Sequence, residues 1–489
     1  MTRLQLFPVF LAAVLTACSA SVYAPERRTP LPRIGVSISP DARIRDEIDA
    51  LLPDSLFPPA NISILIVSLG SGDTLYALNP DLLFHPASNQ KIFTSAAALS
   101  VLGPSHRFVT EAFIDTLDEP TLTIRGGGDP MLSTGDLDSL VVSLIPLMRG
   151  KTGWLLRADI SYFDSVAYGE GWAWDEFTDP TIMEVAPLSV NGNTISVSVT
   201  PASAPGKPVL VSITPPTGFV QIQNNAITVG ADVADSLTLR LAWSNGQNTV
   251  SVSGTIKQGS SIRKETFAIR RPALYALTLL SERLMQEGIL IETRGVSAVP
   301  GRGKPVARRE RSLDSVLVFM NKESDNLCAE NLLKVMGAES SGAPGTFPKG
   351  ITSVRRFLAA SGIDTLTTVI ADGSGVSRYN LSSTSAIVTL LRQAHRSPWA
   401  GLFEASLPIA GVDGTLRRRM NDERGRGNIR AKTGTLRDVS ALSGYVTTAD
   451  GEPLAFSILI QHFPQNRSAY RKVQDSLALY LSRLHRHTF

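Results

Sequence analysis

The chain has 489 residues, 43% of them apolar and 19% charged, with 38 Gly and 30 Pro; this is a globular composition, too long for one core and suited to two or three domains. A formal charge of +3 with short basic clusters only, at Arg302 to Arg311 and Arg417 to Arg419, excludes nucleic acid as the expected partner, since no long basic tract carries interleaved aromatics. Two cysteines, Cys18 and Cys328, exclude a disulfide scaffold.

In chain order, "MTRLQLFPVFLAAVLTACSA" has one early Arg, an apolar stretch and then small residues. It is too short and wrongly flanked to be a stable membrane span, and reads as an export signal. Leu15-Thr16-Ala17-Cys18 resembles the bacterial lipobox. That resemblance implies a signal peptide over 1–18, lipidation of Cys18, and a periplasmic or cell-envelope protein anchored to a membrane. Cleavage after Ala20, with Cys18 discarded, is the alternative. Once the signal is processed, Cys328 has no partner and reads as a small buried hydrophobe. Residues 19–42, rich in Pro and Arg, form a tether, and no later stretch is apolar and long enough to cross a bilayer.

A short helix is predicted from Arg43, followed by two strands around the turn Gly70-Ser71-Gly72-Asp73. "SNQKIFTSAAALSVLG" then predicts a helix with Ser88 as its N-cap, ending at Gly103-Pro104. Residues 105–180 mix strands and short helices and contain "RGGGDPML". Residues 187–257 are strongly β-like, with "TISVSV", "VLVSITP", "LTLRLAW" and "TVSVSG" separated by turn residues. A helix over "RPALYALTLLSERLMQEG" and a basic loop follow. Helices dominate from Ser312, and the chain ends on two strands and a helix. The pattern describes an α/β, multi-domain chain in which one α/β unit (43–104 and 305–489) is split by insertions. One inserted domain takes 105–186 and 258–304, and a second, β-rich one takes 187–257.

The candidate chemistry begins at Ser88-Asn89-Gln90-Lys91. A serine hydroxyl is a weak nucleophile until a base takes its proton. A lysine three positions later on a helix lies on the same face, and acts as a base if burial or a nearby cation lowers its pKa. Single motifs recur by chance: Ser261 to Lys264 is a second S-x-x-K, Lys151-Thr152-Gly153 a second K-T-G, and Ser189-Val190-Asn191 a second S-x-N. The ordered set is more specific. Ser88 with Lys91 opens a helix, Ser324-Asp325-Asn326 lies between two helical runs, and Lys432-Thr433-Gly434 opens a turn-and-strand segment. In the second K-T-G the order is wrong, and the second S-x-x-K has no apolar helical face behind it.

With S-x-x-K, S-D-N and K-T-G in this order, the chain resembles the penicillin-binding proteins and class A β-lactamases. More narrowly it resembles the D-alanyl-D-alanine carboxypeptidase/endopeptidase family, low-molecular-mass penicillin-binding proteins with a large insertion between the first two motifs. "RGGGDPML", "EGWAWDEF", "ADGSGVSRYNLSS" and "LPIAGVDGTLRRRM" add to the likeness, which runs from about residue 45 to the end. The resemblance implies a penicillin-binding-protein/β-lactamase-like domain, an antiparallel sheet flanked by helices, interrupted by mostly β insertions. It implies that Ser88 attacks the penultimate D-alanine carbonyl, Lys91 takes its proton, Ser324 relays a proton to the leaving amine, and Asn326 orients substrate and lysine. Lys432, with Thr433, Gly434 and Thr435, would hold the terminal carboxylate and lower the pKa of Lys91, and the N–H groups of Ser88 and Thr435 would take the oxyanion. Arg378, with Asp159 as its counterpart, is implied as a contact for the free end of the stem peptide.

The expected partners are therefore peptidoglycan stem peptides and, as covalent inhibitors, β-lactams; no cofactor is expected. The six histidines show no metal spacing such as H-E-x-x-H, and "GGGDP" opens no helix suited to a nucleotide. Asp129 reads as a turn former, and Trp172 and Trp174 as packing residues. Whether the enzyme also acts as a D,D-endopeptidase is left open, because both substrates present a D-amino-acid carbonyl to one serine. A β-lactamase is the nearest alternative, set apart by rapid lactam turnover. A non-catalytic cell-wall-binding lipoprotein is a second, set apart by failure to label with penicillin.

Overall fold

A computed structural model describes residues 37–53, 55–57, 60–173, 179–244, 246–464 and 467–486. The signal, the lipobox with Cys18 and most of the tether lie outside the described residues, as does Trp174. The N-terminal part contributes α1 (Ala42–Ala50), β1 (Asn61–Ser68), β2 (Thr74–Leu78) and α2 (Gln90–Val101). The first inserted unit begins with β3 (Arg107–Asp115), β4 (Thr121–Arg125), α3 (Thr134–Met148) and β5 (Trp154–Asp159). The second holds β6 (Thr194–Thr200), β7 (Leu210–Thr214), β8 (Val220–Asn224), β9 (Ile227–Val229), β10 (Thr238–Ser244), β11 (Gln247–Ser253), β12 (Thr255–Lys257) and β13 (Arg263–Ala268). Helix α4 (Pro272–Gln286), β14 (Ile291–Ser297) and β15 (Ala307–Ser312) lead back out. The remainder is α5 (Leu313–Lys322), α6 (Asn326–Ser341), α7 (Phe347–Ala360), α8 (Thr384–His395), α9 (Ala400–Ser406), β16 (Arg430–Leu436), β17 (Val439–Thr447), β18 (Pro453–Gln461) and α10 (Arg467–Arg483).

The two ends of the chain build one antiparallel sheet, in the order β16-β17-β18-β1-β2, with Asn61 opposite Gln461 and Ser68 opposite Leu454. Side chains alternate across a strand, so β18 sends Leu454, Phe456, Ile458 and Ile460 to a core shared with α1 and α10. Ala455 and Leu459 face the other core, shared with α2 and α5 through α9. Because both faces are covered, the central strands read as nearly continuous apolar runs rather than alternating ones.

The inserted units share a core of their own. The first is a five-stranded sheet ordered β14-β5-β4-β3-β15, against which α3 and α4 pack. The second is three small sheets, β13-β6-β7, β10-β11-β8 and β12-β9. Two boundaries differ from the sequence reading. β15, expected in the split α/β unit, pairs with β3, and β13, expected in the first insertion, pairs with β6. Both are edge strands of polar sequence, "ARRERS" and "RKETFA", so neither carries the apolar alternation by which strands are recognised. Asp129 does form a turn: its Oδ1 accepts from the Met131 N–H at 2.9 Å.

Polar side chains of α6 fasten the insertion to the split unit. Asn331 Nδ2 donates to the carbonyls of Gly128 at 3.1 Å and Ala186 at 3.3 Å. Lys334 is fully buried, donates to Asp164 Oδ1 at 2.6 Å and to the Val166 carbonyl, and its ammonium lies 4.5 Å from the Phe347 ring centroid. Cutting a buried ion pair on one side leaves the other charge poorly solvated. Lys334→Ala is therefore expected to destabilise the protein by about 3 kcal/mol, measured as a lower urea midpoint, whereas Lys207→Ala on the exposed surface leaves the midpoint within error.

Candidate active site

Ser88 lies in a single 3₁₀ turn, Ala87–Asn89, ahead of α2. Its side chain does not cap that helix, contrary to expectation: α2 starts at Gln90 and no side chain caps it. The hydroxyl is instead half-buried and accepts from Lys91 Nζ at 3.2 Å. The turn is held on the sheet by Asn89 Nδ2, which donates to Ser443 Oγ at 2.7 Å. Two glycines let backbone close on it from either side. A Cβ at Gly434 would come within 2.8 Å of the Pro86 carbonyl oxygen, and one at Gly375, where φ is +88°, within 1.8 Å of the Ala87 oxygen. Only residues without a Cβ allow that approach, which gives the glycine of K-T-G a steric reason.

Lys91 is fully buried and donates to three acceptors: Ser88 Oγ, Asn326 Oδ1 at 2.7 Å and the Ser374 carbonyl at 2.8 Å. Burial is the chief cause that brings its pKa down from 10.5 to about 8, against the upward pull of the Glu330, Asp372 and Asp325 carboxylates. Ser324 is in the left-handed region at φ +60°, a conformation that costs of order 1–3 kcal/mol outside glycine. Its neighbours impose it. Asp325 N–H donates to the Met320 carbonyl at 3.0 Å, and Asp325 Oδ1 caps α6 by accepting from the Cys328 N–H at 2.7 Å. Asn326 is thereby the first residue of α6, and its Nδ2 donates to the Thr181 carbonyl at 2.8 Å. Cys328 is buried, as expected, and burial pushes its thiol pKa up.

Lys432, in β16, is also fully buried and donates to Ser324 Oγ at 2.9 Å and to the Thr433 carbonyl at 3.0 Å. Burial, and after it the charge of Lys91, pushes its pKa well below the usual lysine range. Repulsion between two ammonium groups is mutual, so the charge of either lysine disfavours that of the other; burial is the first cause at both, and carboxylates lie near Lys91. Thr433 Oγ1 donates to Thr415 Oγ1 at 2.9 Å, and Thr435 is exposed on the same strand. β16 is the edge strand of its sheet, so it can offer backbone groups to an extended ligand.

Ser88, Lys91, Ser324, Asn326 and Lys432 are thus brought together, although the motifs that carry them are far apart in the chain. The second copies stay elsewhere: Lys151 to Gly153 lies in the turn between α3 and β5, and Ser189 to Asn191 just ahead of β6. Arg378 pairs with Asp438 Oδ1 at 3.0 Å, its side chain 41% exposed. Asp159 is not available as its counterpart. It is completely buried at the end of β5, accepts from the N–H groups of Ser161 at 2.9 Å and Gly301 at 3.1 Å, and lies 3.9 Å from Arg125.

Several site residues escaped the motif reading. Glu330 is fully buried on α6, one turn after Asn326, and accepts from the N–H groups of Gly373 at 3.0 Å and Ser374 at 2.8 Å. It thereby fixes the turn whose Ser374 carbonyl holds Lys91. Burial first, then the nearby Asp372 carboxylate, raises its pKa to about 8. Asp372 accepts from Gly375 N–H at 2.8 Å, Ser377 N–H at 2.6 Å, Asn380 Nδ2 at 2.8 Å and Trp172 Nε1 at 3.0 Å. One signal was present: Glu330 is a lone carboxylate inside the apolar run "NLCAENLL", where an unpaired charge would be costly.

The family model for D-Ala-D-Ala carboxypeptidase 3 (S13) matches residues 44–484. A D-alanyl-D-alanine carboxypeptidase of Actinomadura sp. (strain R39) is 34% identical over 463 residues, 90% of this chain and 84% of that protein. The D-alanyl-D-alanine carboxypeptidase DacB of Haemophilus influenzae is 28% identical over 81% of this chain and 84% of its own. The crystal structure of penicillin binding protein 4 (dacB) from H. influenzae superposes with a TM-score of 0.78 at 25% identity, covering 91% of this chain and 100% of that one. The same protein has been solved in complex with a β-lactam, with a TM-score of 0.73. Motif order, fold and whole-chain similarity agree, and the chain belongs to the D-Ala-D-Ala carboxypeptidase 3 (S13) family.

Proposed function

We propose that the chain hydrolyses the terminal D-Ala–D-Ala bond of peptidoglycan stem peptides through an acyl-enzyme on Ser88. The observation that carries this reading is a buried lysine of lowered pKa within hydrogen-bond reach of a half-buried serine at the meeting point of three motifs. Ser88 Oγ bonds to the penultimate D-alanine carbonyl carbon as its proton passes to Lys91 Nζ. The scissile C–N bond then breaks, and the leaving amine takes a proton by way of Ser324, which Lys432 already contacts. Water attacks the ester and restores Ser88. Asn326 orients Lys91 and the substrate amide, and the Ser88 and Thr435 N–H groups receive the oxyanion, each such donor being worth about 3–4 kcal/mol to the transition state.

Lys432, with Thr433, Gly434 and Thr435, holds the terminal carboxylate in this reading. Among the described residues no carboxylate acts to favour the Lys432 ammonium, and Lys91 opposes it; the substrate carboxylate supplies a counter-charge. β-Lactams present the same carbonyl and carboxylate and acylate Ser88, a reading supported by the related protein's β-lactam complex. Arg378 receives the free end of the stem peptide, its exposed guanidinium being shared only with Asp438.

Export with lipidation at Cys18 completes the reading. Among the described residues no helix is long and apolar enough to cross a membrane, so attachment would fall to the lipid. Cys18→Ala is expected to move the protein from the membrane fraction to the soluble fraction, read by immunoblot; unchanged membrane association speaks against the anchor.

Ser88→Ala is expected to lower D-alanine release from a stem pentapeptide by at least about a thousandfold and to abolish labelling by fluorescent penicillin, with the urea midpoint retained. Equal D-alanine release by both proteins removes Ser88 from the role. A stable penicillin adduct, rather than rapid lactam hydrolysis, separates the carboxypeptidase from a β-lactamase.

The base must be neutral. With Lys91 at about 8 in the free enzyme, the rate constant for penicillin acylation should rise with pH along a limb centred there. The neutral fraction, and with it the rate, increases about tenfold from pH 7 to pH 9. A flat profile over that interval would show that another group takes the proton.

A further inference from the structure

Asn326 makes two contacts with its side-chain amide, and only one belongs to the reaction. Its Oδ1 accepts from Lys91, while its Nδ2 donates to the carbonyl of Thr181, which belongs to the insertion. We propose that the segment 179–186 is a positioning element of the active site, in which the Thr181 carbonyl holds the Asn326 amide so that Oδ1 faces Lys91. This rests on the roles proposed above for Ser88, Lys91 and Asn326.

An amide rotated by half a turn would set its NH₂ against the lysine and its oxygen against the Thr181 carbonyl, losing both hydrogen bonds. The two contacts therefore select the same orientation, and Thr181 supplies the half that Lys91 does not. A carbonyl can do this only if its own backbone is fixed. Asp179-Pro180-Thr181-Ile182 forms a turn with proline at its second position, and the Ile182 N–H donates to the Asp179 carbonyl at 2.9 Å. Asp179 Oδ1 accepts both from the Thr181 N–H at 2.7 Å and from the Thr181 hydroxyl at 2.6 Å, the local closure that aspartate supplies in turns.

The turn is then fastened to the helix it serves. Met183 is buried in a small cluster with Leu327, the residue after Asn326, and Ala268 of β13. Three residues on, the Ala186 carbonyl accepts from Asn331. The N–H of Val185 donates to the Ala167 carbonyl at 2.9 Å. Both inserted units thus contribute to the placement of one catalytic amide. Their part in the reaction is to hold Asn326, and through it Lys91, in line with Ser88.

The test is a double-mutant cycle on the full chain, with acylation by a fluorescent penicillin followed by intact mass over hours so that slow variants still give a rate. Asp179→Ala is expected to acylate about tenfold more slowly when Asn326 is present and to have no further effect in the Asn326→Ala background. Asp179→Asn, which keeps the acceptor, should stay within about twofold of the unaltered protein. Met183→Ala, which loosens the same segment from the Leu327 side, should show the same dependence on Asn326. A merely structural role predicts equal slowing in both backgrounds, and that result, or no slowing by either variant, overturns the inference. An unaltered protein that folds but does not acylate would instead overturn the reading of Ser88.

Discussion

The site is organised by the burial of one amine. Lys91 is enclosed by α2, α6 and the turn at 373–375, and the fall of its pKa from 10.5 to about 8 corresponds to about 3 kcal/mol of lost preference for the ammonium. Burial alone would expel the proton and leave a loose lysine. Three acceptors and three carboxylates at the second rank limit that effect, so the amine stays ordered and exchanges its proton near the working range. Glu330 contributes by position: its two hydrogen bonds fix the turn that supplies the Ser374 carbonyl, and whatever fraction of it is ionised favours the ammonium of Lys91.

Placing that amine requires segments from distant parts of the chain. Ser88 and Lys91 come from the N-terminal part, Ser324 and Asn326 from the start of α6, and Lys432 from the edge strand of the sheet. The sheet itself joins the first strands to the last, so it completes only after the whole insertion has been made, a long-range topology expected to fold slowly. Gly434 and Gly375 are where the pieces close on the Ser88 turn. The insertion is not an independent appendage hung between these segments, since Asn331 and Lys334 bind it through geometry-specific polar contacts.

Much of this was legible in the sequence, for a definite reason. Nucleophile and base share one helical turn, and the other motifs must follow in a required order, so chance copies such as Ser261 to Lys264 could be set aside. What escaped depends on tertiary contact. Thr181 acts through a backbone carbonyl, which leaves no mark on residue type. Asp372 is one aspartate among many until its four donors are seen. β13 and β15 are polar because each lies at a sheet edge, and their strand character comes from pairing partners distant in the chain. Asp159 matched the surroundings of a ligand contact, but its carboxylate is consumed inside the first inserted sheet. The burial that lowers the pKa of both lysines, and the positions of Glu330 and Asp372 beside Lys91, also depend on tertiary contact.

The two buried lysines bear on which ligands the site favours. Lys432 is desolvated and, among the described residues, no carboxylate acts to favour its charged form, whereas carboxylates lie near Lys91. Under the proposed roles, a ligand carboxylate at Thr433 to Thr435 supplies the counter-charge that lets Lys432 hold a proton. A charged Lys432 then opposes the ammonium of Lys91 and favours its neutral, basic form. Binding of a free C-terminal carboxylate and activation of the base are thereby linked through the mutual repulsion of the two lysines. A ligand without that carboxylate could reach Ser88 but would meet a less basic Lys91. The selectivity for carboxylate-ended peptides would then lie in the acylation rate as much as in affinity.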